Sequence, residues 1–168
     1  MIRIYLTNLG KYNEGYLIGK WVTLPATDAE IEAVFEYIGI NEEYEEYFIT
    51  DWECDIDGLE IGEYSNLEDL NEKADKLEGL ADYEAEIIEA LLSEGYSFDD
   101  ALEKIDDCIV WGGCEDMEDV ARAYADETGL LESIPENLQN YFDFAAFGRD
   151  MDFEGTFVFI GRNCIEII

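Results

Sequence analysis

Carboxylates and thiols are the groups most able to do chemistry in this sequence, which has 43 Asp and Glu, four Cys and no His. The run Glu53-Cys54-Asp55-Ile56-Asp57-Gly58 sets carboxylates at alternate positions before a glycine, as a calcium loop does. The likeness ends there. The closing bidentate Glu is replaced by Tyr64, the usual apolar position is Glu60, and the preceding segment reads as a strand. Cys54, Cys108, Cys114 and Cys164 form no CxxC pair, so zinc would need all four thiolates to converge from scattered positions. Reduced thiols in a core account for them better. Nucleophilic catalysis lacks its usual base. The glycines form no GxxxxGK[ST] or strand-linked GxGxxG phosphate cradle. A pair of carboxylates suits glycoside hydrolysis, but with 43 acids proximity of any two carries no information. We therefore assign no catalytic residue, no metal ligand and no cofactor, and expect a binding protein rather than an enzyme.

The carboxylates matter as a population. Only nine Lys and Arg oppose them, leaving a formal net charge of −34. Acidic chains of this kind are commonly disordered, but those are poor in apolar and aromatic residues. Here 48% of residues are hydrophobic, 14% are aromatic and only two are proline. Such a chain buries a core while its surface repels itself. It has no basic footprint for nucleic acid, so no direct nucleic-acid partner is expected. Anionic membranes are disfavoured for the same reason. There is no apolar run long enough to span a bilayer and no signal-like N-terminal h-region, so the expected location is cytoplasmic.

Placing the carboxylates requires the elements that carry them. Ile2–Leu6 and Tyr16–Leu24 read as strands joined around Gly10–Gly15. Thr27 and Glu30 form a capping box before a helix whose inner face is Ile31, Val34, Phe35 and Ile38, ended by Gly39. Tyr47–Trp52 reads as a third strand. Between 61 and 106 short amphipathic helices follow one another: one capped by Ser65 with Leu67, Leu70, Ala74 and Leu77 inward, one from about Leu80 to Ser93, and one starting at Ser97. Beyond 107 the pattern returns to mixed α/β. A strand spans Cys108–Trp111, helices are expected near Glu115–Glu127 and Pro135–Phe147, and Thr156–Ile160 pairs with Ile165–Ile168 through Gly161-Arg162-Asn163. In the Pro135–Phe147 helix, Leu138, Tyr141, Phe142 and Ala145 mark the inner face. The expected fold class is α+β, an elongated chain of three small subdomains: 1–60 mixed α/β, 61–106 acidic and helical, 107–168 mixed α/β.

On the first central helix Glu68, Glu72 and Asp75 fall on the outer face, and Asp82, Glu86 and Glu89 repeat that arrangement on the next. Successive members rise about 4.5–6 Å along the axis, the same order as neighbouring phosphates of one DNA strand. Solvated helix faces ordinarily mix Glu with Lys because like pairs destabilise. Here 18 acidic residues lie between 51 and 100, opposed only by Lys73 and Lys76. These six carboxylates are the expected partner-binding surface. Duplex DNA carries one charge per about 1.7 Å, so a net −34 corresponds to about 58 Å of duplex. A compact globule of this length has a diameter near 40 Å, hence the expectation of elongation.

Residues at both ends of the chain carry a resemblance. Tyr5-Leu6-Thr7-Asn8-Leu9-Gly10-Lys11-Tyr12-Asn13-Glu14-Gly15 resembles the opening of ArdA-type antirestriction proteins. So do Asp116-Met117-Glu118-Asp119-Val120-Ala121-Arg122 and Ile134-Pro135-Glu136-Asn137-Leu138-Gln139-Asn140-Tyr141-Phe142-Asp143, with Gly148-Arg149-Asp150 and Gly155-Thr156-Phe157 beyond. The matches span nearly the whole chain in the same order, while 61–106 matches by character more than by residue. The resemblance implies a homodimer, carried on a mobile genetic element, whose acidic surface imitates bent B-form DNA. Its implied partner is the DNA-binding groove of Type I restriction–modification enzymes. A mimic or chaperone for another basic DNA-binding protein is the alternative that composition allows. Arg122 and Arg149 are expected to hold local carboxylates. Trp21, Trp52 and Trp111 are expected in a core or a subunit interface, and the C-terminal part is the preferred dimer contact.

Overall fold

In the computed structural model, which describes all 168 residues, two antiparallel three-stranded sheets organise the chain. Contacts group it into two compact units, Met1–Ala81 and Asp82–Ile168. The fold class is α+β, as expected from the sequence.

The first unit contains β1 (Ile2–Asn8), α1 (Leu9–Asn13), β2 (Gly19–Leu24), α2 (Asp28–Ile38), β3 (Tyr47–Cys54) and α3 (Leu67–Glu78), with sheet order β2-β1-β3. Alternation along β1 sends Ile2, Ile4 and Leu6 to one face, where they meet Val34 and Ile38 of α2 and Leu67, Leu70 and Ala74 of α3 in a single core. Arg3, Tyr5 and Thr7 take the opposite face. The capping box of α2 forms: Thr27 N–H donates to the Glu30 carboxylate at 2.8 Å and the Thr27 hydroxyl accepts from Glu30 N–H. Gly39 ends the helix with φ 80°, a left-handed conformation that glycine adopts without penalty. Asn71 fixes α3 to the β2–α2 connection, accepting from Ala26 N–H at 2.7 Å and donating to its carbonyl at 3.0 Å. The cap of α3 differs from the expected Ser65. Asn66, directly before the first helical residue, accepts from Asp69 N–H, and the Ser65 hydroxyl turns back to accept from Gly62 N–H.

The second unit contains α4 (Asp82–Ser93), α5 (Phe98–Lys104), β4 (Cys108–Gly112), α6 (Met117–Thr128), α7 (Glu136–Gln139), α8 (Phe144–Glu154), β5 (Thr156–Ile160) and β6 (Asn163–Ile167), in sheet order β4-β6-β5. The helices of the stretch 61–106 thus fall in both units. α3 shares the core of the first sheet, and α4 packs against all three strands of the second. Ser97 caps α5 by accepting from Asp100 N–H. Asp116 does the same for α6 through Asp119 N–H. The β5–β6 hairpin closes over Gly161-Arg162 alone, with Ile160 facing Asn163 and Gly161 at φ 59°, the glycine-first form of a two-residue turn.

One expected helix is corrected. Pro135–Phe147 is not continuous: a single turn, α7, ends at Gln139, and α8 starts afresh at Phe144. Asp143 caps it, accepting from Ala146 N–H at 3.0 Å. Leu138 and Tyr141, expected inward, are 51% and 84% exposed. Ala145, also expected inward, is exposed, and only Phe142 keeps its expected inner place, edge-on to Phe144 and Phe147. α8 continues through Gly148, where it crosses α6 so closely that a Cβ would strike the Met117 carbonyl.

Candidate functional site

None of the 43 carboxylates is buried, and only Glu84, Glu86, Glu89, Glu118, Asp119 and Glu166 are half-buried, the other 37 being exposed. Local folding accounts for that distribution. The longer helices spend their apolar stripes on a sheet or a neighbouring helix, so the acids between stripe positions have only solvent to face.

On α3, Glu68, Glu72 and Asp75 are all exposed, opposite the buried Leu67, Leu70 and Ala74. Asp82, at the start of α4, is exposed too. Glu86 and Glu89 are placed differently, being only half-exposed. Ile87, Ile88, Ala90 and Leu91 are all buried, an apolar face broad enough to bring the residues on its margin against the protein. Glu86 accepts a hydrogen bond from the Asn163 side chain at 2.6 Å, at the start of β6. The structure therefore brings Glu68, Glu72 and Asp75 into one exposed row and gives Glu86 a structural contact.

Further exposed acids escaped the sequence reading. Asp28, Glu32 and Glu36 of α2 recur at i, i+4 and i+8, each about 6 Å further along the axis. Their spacing was visible in the sequence. Asp51 and Glu53 project from β3 opposite Tyr5 and Arg3. That alternation was hidden by a strand expected to end at Trp52. Glu42, Glu43, Glu45 and Glu46 crowd the loop before β3.

The scarce cations are engaged close to home. Arg3 pairs with Glu53, Lys11 with Glu14, Lys73 with Asp69, and Lys104 with Asp107. Arg122 pairs with Glu118 one helical turn away, and Arg149 lies 3.7 Å from Asp150, so both hold local carboxylates as expected. Several also lie over rings: Arg3 over Trp21, Lys11 over Tyr44, Lys20 over Tyr37 and Arg122 over Phe144. The Tyr44 side chain, with Glu14 and Glu43, holds the Lys11 ammonium above its ordinary value. Hydrogen bonds from Thr27 hold the Glu30 carboxyl below its own. These contacts are surface-exposed and worth little individually. Their effect is to leave long acidic stretches without interspersed positive charge.

Within the opening motif, Asn8 has a structural role. Asn8 is fully buried; its carboxamide oxygen accepts from Lys11 N–H while its nitrogen donates to the Ile38 and Gly39 carbonyls. That ties the end of β1 to the end of α2. Trp111 is core at 6% exposure, Trp21 is half-buried beneath Arg3, and Trp52 is 42% exposed. Among the cysteines, Cys114 and Cys164 are buried and share the second unit's core with Trp111 and Val120. No three acidic or thiol side chains converge in a metal-holding group. Asp55, from the calcium-like run, instead pairs with the Met1 amino group at 3.1 Å.

A folded α+β scaffold that keeps all its carboxylates out of the core, 37 of the 43 at exposed positions, defines a class, the strongly acidic folded proteins. The family model of the antirestriction protein ArdA matches residues 4–166, and this chain belongs to that family. No curated protein sequence matches it. No helix is long and apolar enough to cross a membrane.

Proposed function

We propose that this protein inhibits restriction–modification by presenting its carboxylates as a stand-in for DNA phosphates, occupying the DNA-binding groove of a Type I enzyme. It acts by competition and carries out no reaction of its own. The observation that carries this reading is that 37 of 43 carboxylates are exposed and none is buried, on an ordered scaffold with only nine cations, most of them already paired with a carboxylate, in a member of an antirestriction family. Basic groove residues would meet rows such as Glu68, Glu72 and Asp75 at near-phosphate spacing. Asp28, Glu32 and Glu36 offer a second row, and Asp82, Glu86 and Glu89 a third in which Asp82 is the most accessible. A groove that binds both restriction substrate and modification substrate would lose both activities together.

In this reading the active form is a homodimer acting in the cytoplasm of a cell newly entered by a mobile element. The second unit supports the dimer contact, because Tyr141 and Phe153 are each 84% exposed and Phe159 is 41% exposed there. The test is cleavage by a purified Type I enzyme with the wild-type protein and a Glu68→Lys, Glu72→Lys, Asp75→Lys variant. Inhibition at micromolar wild type, weakened at least ten-fold by the triple change, is the expected result. Equal potency of the two proteins would place the contacts elsewhere, and no inhibition by either would remove the proposal.

A further inference from the structure

The outer face of the first sheet bears a cleft of about 390 Å³, within the range of small-ligand pockets, about 300–1,000 Å³. Its walls are the rings of Tyr5, Tyr12 and Phe48 with the side chain of Leu17, and Glu63 lines it as its single charged residue. α2 and α3 pack on the other face of this sheet, so Tyr5 and Phe48 lie on the outer one, where Phe48 is only 7% exposed, packed beneath Tyr12 of α1 and Tyr64. Tyr12 meets Phe48 edge-on with centroids 5.2 Å apart, and Tyr64 stacks on Phe48 at 6.4 Å. Leu17 is 81% exposed and Tyr64 73%. The cleft floor is polar, with the hydroxyls of Thr7 and Thr50 bonded to each other at 2.8 Å. The Ile49 N–H donates to the Glu63 carbonyl at 2.8 Å, which holds Glu63 beside β3. Gly19 lets the Tyr5 ring lie across β2, since a Cβ there would strike that ring.

We infer that this cleft receives the guanidinium group of an arginine side chain on a basic partner protein. An anion is opposed by Glu63 and by a net charge of −34. An apolar group would desolvate the hydroxyls and the carboxylate without replacing their hydrogen bonds. A guanidinium satisfies both demands, because its flat face lies on aromatic rings and its forked donors fit a carboxylate. The same sheet face already holds one in this way. Arg3 lies 4.9 Å above Trp21 and is paired with Glu53, and Trp21 is edge-on to Tyr5, a wall of the cleft. Rings and a carboxylate recur in the cleft that shares Tyr5 with that group, with none of the chain's own cations among the lining residues. The inference stands on the cleft and does not depend on which basic protein is the target. Where the proposed target is right, the cleft supplies one oriented contact among many diffuse ones.

The test uses the full-length protein and ethylguanidinium chloride, followed by aromatic NMR at constant ionic strength, with N-ethylurea as the neutral isostere. Saturable shifts of the Tyr5, Tyr12 and Phe48 ring signals are expected, with little movement of the exposed Tyr83 and Tyr141. Glu63→Gln and Tyr12→Leu, both at exposed positions, should each weaken the apparent affinity at least three-fold while the other resonances keep their folded positions. Shifts of equal size with N-ethylurea, equal shifts at Tyr83 and Tyr141, or unchanged affinity in both variants would overturn the inference. Because the readout involves no restriction enzyme, its failure is distinct from failure of the proposed function.

Discussion

Burial pushes the Cys164 thiol up to about 12, with the Cys114 thiol and the Glu166 and Asp152 carboxylates adding to the shift. Cys54, Cys108 and Cys114 move the same way, again chiefly through burial. Thiolate is the reactive form, so native protein at pH 8 should label far more slowly with iodoacetamide at Cys164 than urea-unfolded protein does. Comparable labelling in both states would contradict the burial. The linkage has a definite sign. The raised thiol stays neutral in the folded state while the unfolded chain ionises near its ordinary value of 9.0. Its stabilising contribution is complete below about pH 9 and is lost as pH rises toward 12. Replacing Cys164 by Ala should flatten that part of the unfolding-temperature profile. At this same scale the acids of α3 were legible in advance, because exposure follows directly from opposition to Leu67, Leu70 and Ala74. The half-exposed position of Glu86 was not, since its partner Asn163 is far away in sequence.

Among the elements, the α6–α8 crossing is the most exacting contact, because Gly148 rests directly against the Met117 carbonyl. Gly148→Ala should destabilise the protein by at least about 1–3 kcal/mol, the usual cost of overfilling a packed contact, read from urea unfolding. A change below about 0.5 kcal/mol would mean the helices are not so close. This glycine also shows where sequence reading stops. Taken alone, a glycine after a run of helical residues reads as a stop, which is correct for Gly39. Only the facing backbone of α6 reveals Gly148 as a packing residue. Strands and amphipathic helices were legible because periodicity is local: α2 and α5 start where their caps predict, and α6 lies close to the expected Glu115–Glu127. The break between α7 and α8 was not legible, because it rests on Asp143 acting as a cap in the middle of an apolar pattern that reads as one continuous helix. The aromatic cleft was equally hidden. Tyr5, Tyr12, Phe48 and Glu63 come together only through the register of β1 with β3.

For the whole molecule the governing quantity is self-repulsion. Two carboxylates about 7 Å apart repel by about 0.6 kcal/mol in water before screening, and a charge of −34 sums many such pairs. The total reaches several kcal/mol, comparable with the stability of a domain. Raising NaCl from about 0.02 M to about 0.5 M shortens the screening length several-fold and should raise the unfolding temperature by roughly 5 °C or more. A flat or falling response would contradict the account of the surface. That cost to folding is intelligible where the surface is itself the functional part, and this leads to the central claim. Displacement of fluorescent duplex DNA from a purified Type I enzyme, followed by anisotropy as the protein is added, tests it most directly. The account predicts full displacement at micromolar protein, with competition weakening as salt rises. DNA that stays bound at saturating protein would contradict it.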